Sequence, residues 1–305
     1  MDVVIVGSGV VGTATGRGFR AKGHRVLFCD AARPRVELLR DAGFEAIHTE
    51  ALGAVRADAY LLSVPTPTVD GAADLACVRE AAEALGSALA GHPGRPLVVV
   101  RSTVPPGTTE ELVVPVVQFV SGLRAGKDFS VCMNPEFLRA ATAEDDFLHP
   151  RVIVIGVPDK ASERATRRLY APWNDVPVLS MSVRSAEATK YVANVFNATK
   201  ISFFNELHQV LIAAGADPEA AFRAVAIGAE GMWNPTYGTR GGSPYGGVCL
   251  PKDTVAFRRY AEDLGAGDLV TMLRATIAVN ERLEAESVSG ERTDDAAAAF
   301  REAVG

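Results

Sequence analysis

No stretch of this sequence approaches the roughly 20 consecutive apolar residues that a bilayer-spanning helix requires, so a membrane partner is not expected. Cysteine is scarce: Cys29, Cys77, Cys132 and Cys249 are the four in 305 residues, widely spaced and without a CxxC pair. That spacing excludes a disulfide framework and a zinc cluster, predicts no metal, and suits the reducing cytoplasm. A basic excess is missing as well. The net charge is −6, and nucleic-acid binding needs a basic face; a small phosphorylated ligand needs only a local pocket. Nor does the chain open with the charged segment and apolar stretch of a secretory leader. Its first apolar residues, Val3-Val4-Ile5-Val6, have the character of a strand. No internal repeat is found.

What is present is enough apolar material, 48% of residues, for about two domains. Val3–Val6, Arg25–Cys29, Ala59–Ser63, Pro96–Val100 and Phe129–Cys132 are short, apolar and rich in β-branched residues, and longer amphipathic segments separate them. This alternation predicts a doubly wound, Rossmann-like parallel α/β sheet. Arg151–Val157 adds a further strand, and the sheet domain is expected over residues 1–182. From Ser185 to Ala213 proline and glycine are absent, and Gly215 follows. This predicts one long helix capped by Ser185, with Glu187 in its first turn and Gly215 ending it. Its apolar positions, among them Val192, Phe196, Phe203, Phe204, Leu207 and Leu211, suit either an interdomain helix or a dimer surface. A mostly helical domain over 183–284 is expected, interrupted by a glycine-rich loop at Gly238–Gly247, and then a flexible or helical tail over 285–305.

Gly7-Ser-Gly9-Val-Val-Gly12 follows the first strand directly and opens a helical pattern. Gly7 permits the tight turn, Gly9 a close approach of backbone to a pyrophosphate, and Gly12 close packing of helix on strand. Asp30 ends the second strand, 18 residues after Gly12, where a carboxylate accepts bonds from ribose hydroxyls and repels a 2′-phosphate. The expected cofactor is therefore NAD, although Arg33 stands close by.

A second group of residues lies further along. Cys249 sits between flexible glycines and Pro251-Lys252-Asp253, a setting for an exposed thiol whose pKa a lysine and a helix amino end can lower. The competing view is a small buried cysteine, which suits Cys29, Cys77 and Cys132. Lys190 and Asn194 share one helix face, fit either to steady a developing oxyanion or simply to meet water. Glu136 closes a strand, where open α/β sheets place ligands. Asp253 is either a helix cap or a proton-steering group.

Ser102-Thr-Val-Pro-Pro-Gly-Thr108, Asn134-Pro-Glu-Phe-Leu-Arg139, Ala186-Glu-Ala-Thr-Lys190 with Asn194, and Gly246-Gly-Val-Cys-Leu-Pro-Lys-Asp-Thr254 together resemble one family, the UDP-glucose and GDP-mannose dehydrogenases. Ser63-Val-Pro-Thr-Pro67 and Val279-Asn-Glu-Arg282 stand in matching places, so the likeness covers about the first 282 residues. It implies a Rossmann domain, a helical central domain and a homodimer built on the long helix. For catalysis it implies Cys249, Lys190, Asp253, Glu136, Asn194 and Thr103. Cofactor contacts would come from Gly7, Gly9, Val10, Val11, Gly12, Asp30, Val64, Pro65, Thr66, Ser102 and Thr103. Substrate contacts would come from Glu136, Phe137, Leu138, Arg139, Lys190, Asn194, Tyr245, Gly246 and Cys249. The implied reaction is NAD-dependent oxidation of a primary alcohol on a nucleotide-linked sugar, or a glycosylated nucleoside, to a carboxylate. It uses two hydride transfers and a Cys249 thiohemiacetal and thioester.

Several features depart from the pattern. Ala140 stands where the family's PEFLxE segment carries a second carboxylate, and Asn234-Pro-Thr-Tyr-Gly238 lacks the arginine usual after the proline. The stretch from there to Cys249 is shorter than usual, and the family's third, nucleotide-holding domain is expected to be lacking. Two other readings stay open: a single-step β-hydroxyacid-type dehydrogenase, which needs no cysteine, and a non-catalytic cofactor-binding partner.

Overall fold

The computed structural model describes residues 1–289, which form two compact units, Met1–Asn194 and the part from Val195 onward. In the first unit, short β-branched and aliphatic runs make β1 (Asp2–Val6), β2 (Arg25–Asp30), β3 (Glu45–His48), β4 (Ala59–Leu62), β7 (Leu97–Val100), β8 (Ser130–Met133), β9 (Ile153–Gly156) and β10 (Val178–Met181), with a small hairpin of β5 (Thr68–Val69) and β6 (Ala72–Ala73). The connections hold α1 (Val10–Ala21), α2 (Arg33–Asp41), α3 (Ala76–Leu89), α4 (Val114–Ser121), α5 (Ala143–Leu148) and α6 (Lys160–Leu169).

Eight strands form one sheet in the order β10-β9-β8-β7-β4-β1-β2-β3. Neighbours are parallel throughout except β8 and β9, which meet antiparallel through Met133 and Gly156. The order reverses between β1 and β4, where such sheets leave a ligand crevice beyond the strands' carboxyl ends. Both faces are covered, which explains the continuous apolar runs. Val4, Val6, Tyr60, Leu62 and Val98 pack with Val78 and Leu85 of α3 on one side. Val3, Ile5, Leu61 and Val99 pack with Phe19 of α1, Phe147 of α5 and Trp173 on the other. Burying each such side chain contributes about 1.5–3 kcal/mol. The Rossmann-like sheet is thus present, but it is mixed rather than wholly parallel. It also gains two strands that the pattern does not predict. These are β3 and β10, edge strands with one buried position between them, at Ala46, and too little apolar character to stand out.

The long helix α7 runs Val183–Ala213, and the division between the units falls within it. Ser182 caps it, not Ser185. The helix already starts at Val183, so the Ser185 N–H is one of its unpaired donors and bonds Ser182 Oγ at 3.2 Å. Gly215 ends it at φ +70°; the Gly215 N–H bonds the Ile212 carbonyl and the Ala216 N–H that of Leu211, closing the last turn. The second unit continues with α8 (Pro218–Gly228), α9 (Glu230–Trp233), α10 (Cys249–Asp263) and α11 (Thr271–Ser289). Asp217 caps α8 by accepting the N–H groups of Glu219 and Ala220. The Glu206 carboxylate of α7 accepts those of Met272 (2.7 Å) and Leu273 (3.0 Å), so one helix caps another. Val210, Ala261 and Val270 form a small core between these helices. Of the tail expected over 285–305, residues up to Ser289 continue α11, and the rest lies outside the described residues. No helix among the described residues is long and apolar enough to cross a membrane.

Candidate active site

The glycine turn after β1 is dictated by lack of space. Gly7 takes φ +91°, and its N–H donates to the Cys29 carbonyl at 2.8 Å, tying the turn to β2. A Cβ on Gly7 would lie 2.6 Å from the Ser63 carbonyl oxygen, and one on Gly12 1.9 Å from that of Gly7, whereas Gly9 faces open space. Gly9 is the N-cap of α1 and no side chain caps the helix. The amino-terminal N–H groups at Val10 and Val11 are thus left for a ligand at the helix's positive end. A cradle open at Gly9 and closed elsewhere fits a dinucleotide pyrophosphate. Asp30 is held at the end of β2. Its Oδ2 accepts the Ser8 N–H (2.7 Å) and hydroxyl (2.5 Å), and its Oδ1 the Ala32 N–H (2.9 Å). Arg33 turns away to Glu50 at 2.7 Å. Arg35, which the sequence reading passes over, donates to the Ser8 carbonyl (2.7 Å) and the Thr13 hydroxyl (2.8 Å), fixing a guanidinium at the cradle's rim.

Two loops beyond this turn are latched together. Ser102 Oγ donates to the Val64 carbonyl, and Thr66 Oγ1 to that of Thr103, each at 2.7 Å. Between them Pro65 is exposed, and Thr103 is half-buried with a hydroxyl that bonds no other group among the described residues. The Glu187 carboxylate, buried on α7, accepts the Gly107 and Thr109 N–H groups at the end of the second loop. Glu187 thus lies beyond the first turn of α7, which holds no acidic residue, and anchors the helix to that loop. Burial pushes its pKa above the usual glutamate value.

Beyond β8 the chain is set by a buried arginine. Arg101 Nη1 donates to the Asn134 carboxamide oxygen and to the Tyr170 hydroxyl, and Asn134 Nδ2 donates to the Val154 carbonyl at 2.7 Å. From this fixed turn Glu136 reaches Lys190 of α7. Their charges lie 2.8 Å apart with side chains 7% and 9% exposed, and Glu136 Oε2 also accepts the Leu138 N–H. The structure thus brings together Glu136 and Lys190, two candidates that the sequence offers separately. Phe137, Leu138 and Arg139 wall a cavity of about 550 Å³ together with Arg101 and Tyr170. Arg139 is engaged by Asp146 at 2.6 Å, and that pairing holds the Asp146 carboxyl well below the usual range. Asn194, a turn beyond Lys190, is exposed and takes no part in the pair. Ala140 opens on a separate cleft of about 500 Å³ lined by Val10, Thr13 and Arg35, so this departure from the family pattern lies on the cofactor side.

In the helical unit Cys249 is exposed and begins α10, placing its sulfur at a helix amino end. Cys29 and Cys132 are closed off, and burial pushes both thiols up to about 12; Cys77 is half-buried. Lys252 and Asp253 pair with each other. The N-cap of α10 is Val248 and no side chain caps it, so Asp253, bound to its neighbour, is not a helix cap. Gly246 is exposed; Tyr245 is half-buried, and its N–H donates to Asn280 Oδ1 at 2.7 Å.

The NAD binding domain model of the UDP-glucose/GDP-mannose dehydrogenase family matches residues 43–174, and that family's central domain model matches residues 184–282. GDP-mannose 6-dehydrogenase of Azotobacter vinelandii is 33% identical over 91% of this chain and 69% of its own length. UDP-glucose 6-dehydrogenase AglM of Haloferax volcanii is 34% identical over 92% and 70%. Among solved structures, a ternary complex of GDP-mannose dehydrogenase from Pseudomonas aeruginosa superposes with a TM-score of 0.87 at 29% identity, covering 95% of this chain and 71% of that one.

Proposed function

Because the chain belongs to the UDP-glucose/GDP-mannose dehydrogenase family, we propose that it oxidises the primary alcohol of a nucleotide-linked sugar, or a related glycosylated nucleoside, to a carboxylate. Gly7, Gly9, Gly12 and Asp30 hold NAD, which supplies the hydride acceptor for two oxidations. The buried Glu136–Lys190 pair carries this reading, since charges kept from water act strongly on a reacting oxygen.

Lys190 steadies the alkoxide as the alcohol becomes an aldehyde. The Cys249 thiolate then forms a C–S bond to the aldehyde carbon, and the oxygen takes up a proton to complete the thiohemiacetal. Loss of a second hydride and the hydroxyl proton leaves the thioester. Water adds to its carbonyl carbon with Glu136 taking the proton, the C–S bond breaks, and the thiolate leaves with the carboxylate formed. Asp253, Asn194 and Thr103 serve proton and hydroxyl contacts around these steps. The whole consumes one alcohol and one water and delivers two hydrides and three protons, counting the carboxylate as ionised.

We place the enzyme in the reducing cytoplasm, where Cys249 stays a free thiol. It acts as a homodimer through α7, whose Val192, Val195, Phe196 and Ile201 are each more than half exposed.

The test is the number of NADH formed per UDP-glucose or GDP-mannose consumed, by the parent chain and by Cys249→Ser. Two NADH and a carboxylate from the parent, with loss or stalling in the variant, is the expected result. One NADH per turnover, indifferent to the substitution, would sink the thioester route and leave a single-step alcohol dehydrogenase.

A further inference from the structure

The loop that delivers Cys249 is almost free of its surroundings. Added Cβ atoms on Gly241, Gly242, Gly246 and Gly247 would meet nothing within 4 Å, and Gly242 and Gly247 take positive φ of +85° and +79°. Such a segment has much backbone entropy to lose on ordering. Among the described residues, one hydrogen bond ties residues 240–247 to an element other than α10: the Tyr245 N–H to Asn280 Oδ1 at 2.7 Å. Asn280 is 5% exposed on α11, and its Nδ2 donates to Glu284 Oε1 at 3.0 Å, so both ends of the carboxamide are committed. Its helix is itself held in register, because Glu206 of α7 caps its first turn.

We infer that Asn280 is the positioning residue for the nucleophile loop: it pins Tyr245 and thereby fixes where α10 begins and where Cys249 presents its sulfur. Only a short, glycine-containing link, Gly246-Gly247-Val248, separates the pinned residue from Cys249. The buried carboxamide accepts a bond at the one place where the loop's free travel must stop. Asn280 touches no reacting atom in this role and acts through the loop. The inference rests on the proposal that Cys249 is the nucleophile.

The experiment is amide hydrogen exchange across residues 240–248 of the full chain, with turnover of UDP-glucose and GDP-mannose, for the parent, Asn280→Ala, the double variant Asn280→Asp with Glu284→Gln, and Cys249→Ser. In the parent the Tyr245 amide should exchange more slowly than those of Gly241 to Ser243. Asn280→Ala should speed Tyr245 exchange roughly tenfold, the worth of one hydrogen bond. It should also lower kcat about tenfold or more while the KM for NAD holds. Asn280→Asp with Glu284→Gln keeps an acceptor for the Tyr245 N–H and a donor–acceptor pair between positions 280 and 284, and should restore both the protection and most of the turnover, which a generally weakened fold would not. An Asn280→Ala chain with parental exchange at Tyr245 overturns the inference, whatever its activity. Should that variant not fold, the parent alone decides: a Tyr245 amide exchanging as fast as its neighbours overturns it. Cys249→Ser should lose turnover with exchange unchanged; if it keeps turnover, the nucleophile reading fails while the exchange results still decide whether the tether exists.

Discussion

Single residues carry the tightest constraints in this molecule, and the sharpest is Gly12. A methyl group there would lie 1.9 Å from the Gly7 carbonyl oxygen, which is backbone and cannot swing aside. Gly12→Ala should therefore cost about 1–3 kcal/mol through overpacking and weaken NAD binding. Urea unfolding and an NAD titration would show both, and a variant matching the parent in each would refute the cradle geometry. The Glu136–Lys190 pair allows a second prediction. Removing the cation alone leaves a buried, uncompensated carboxylate, so Lys190→Met should destabilise by about 3–5 kcal/mol. Adding Glu136→Gln should recover a large part of that loss. If the two losses simply add in denaturant melts, the pair is not coupled in solution.

At the level of elements, Glu187 joins α7 to the loop ending at Thr109. Burial raises its pKa, and the nearby Glu110 acts in the same direction. The folded state thus prefers the protonated form. The stability this group contributes is present below the ordinary glutamate pKa and is lost as pH rises through the raised one. Glu187→Gln removes that dependence, so its unfolding midpoint relative to the parent should improve as pH rises past the ordinary glutamate pKa; a trend in the opposite direction would contradict the assignment. How far elements could be read from sequence follows from burial. Val3–Val6 and Leu97–Val100, covered on both faces, announce themselves as strands, while β3 and β10 at the sheet's edges do not. The long helix was legible because proline and glycine are missing over its length, but its start was displaced from Ser185 to Val183, since Ser182 offers an equally good cap. In the site, the glycine cradle was legible because its residues are contiguous. The meeting of Glu136 with Lys190 and the burial of Arg101 and Asn280 were not, because they arise from tertiary packing that no local spacing encodes.

For the whole molecule, the apolar side of α7 bears on assembly. Val192 and Phe196, four residues apart on α7, are 67% and 61% exposed, and the proposed dimer would cover them. Sedimentation of the parent should give a dimer and that of Phe196→Glu a monomer; a parent that runs as a monomer removes the proposal. The strand order has a consequence of a different kind, for a chain emerging from the ribosome. β2 docks on β1 and β3 on β2; β4 then takes the opposite side of β1, β7 joins β4, and β8, β9 and β10 each join the strand made before them. No strand has to wedge between two that are already paired. The sheet can be laid down outward in the order of synthesis, and its last strand is free to dock once Met181 has cleared the exit tunnel, while the α7 segment that follows it is still inside.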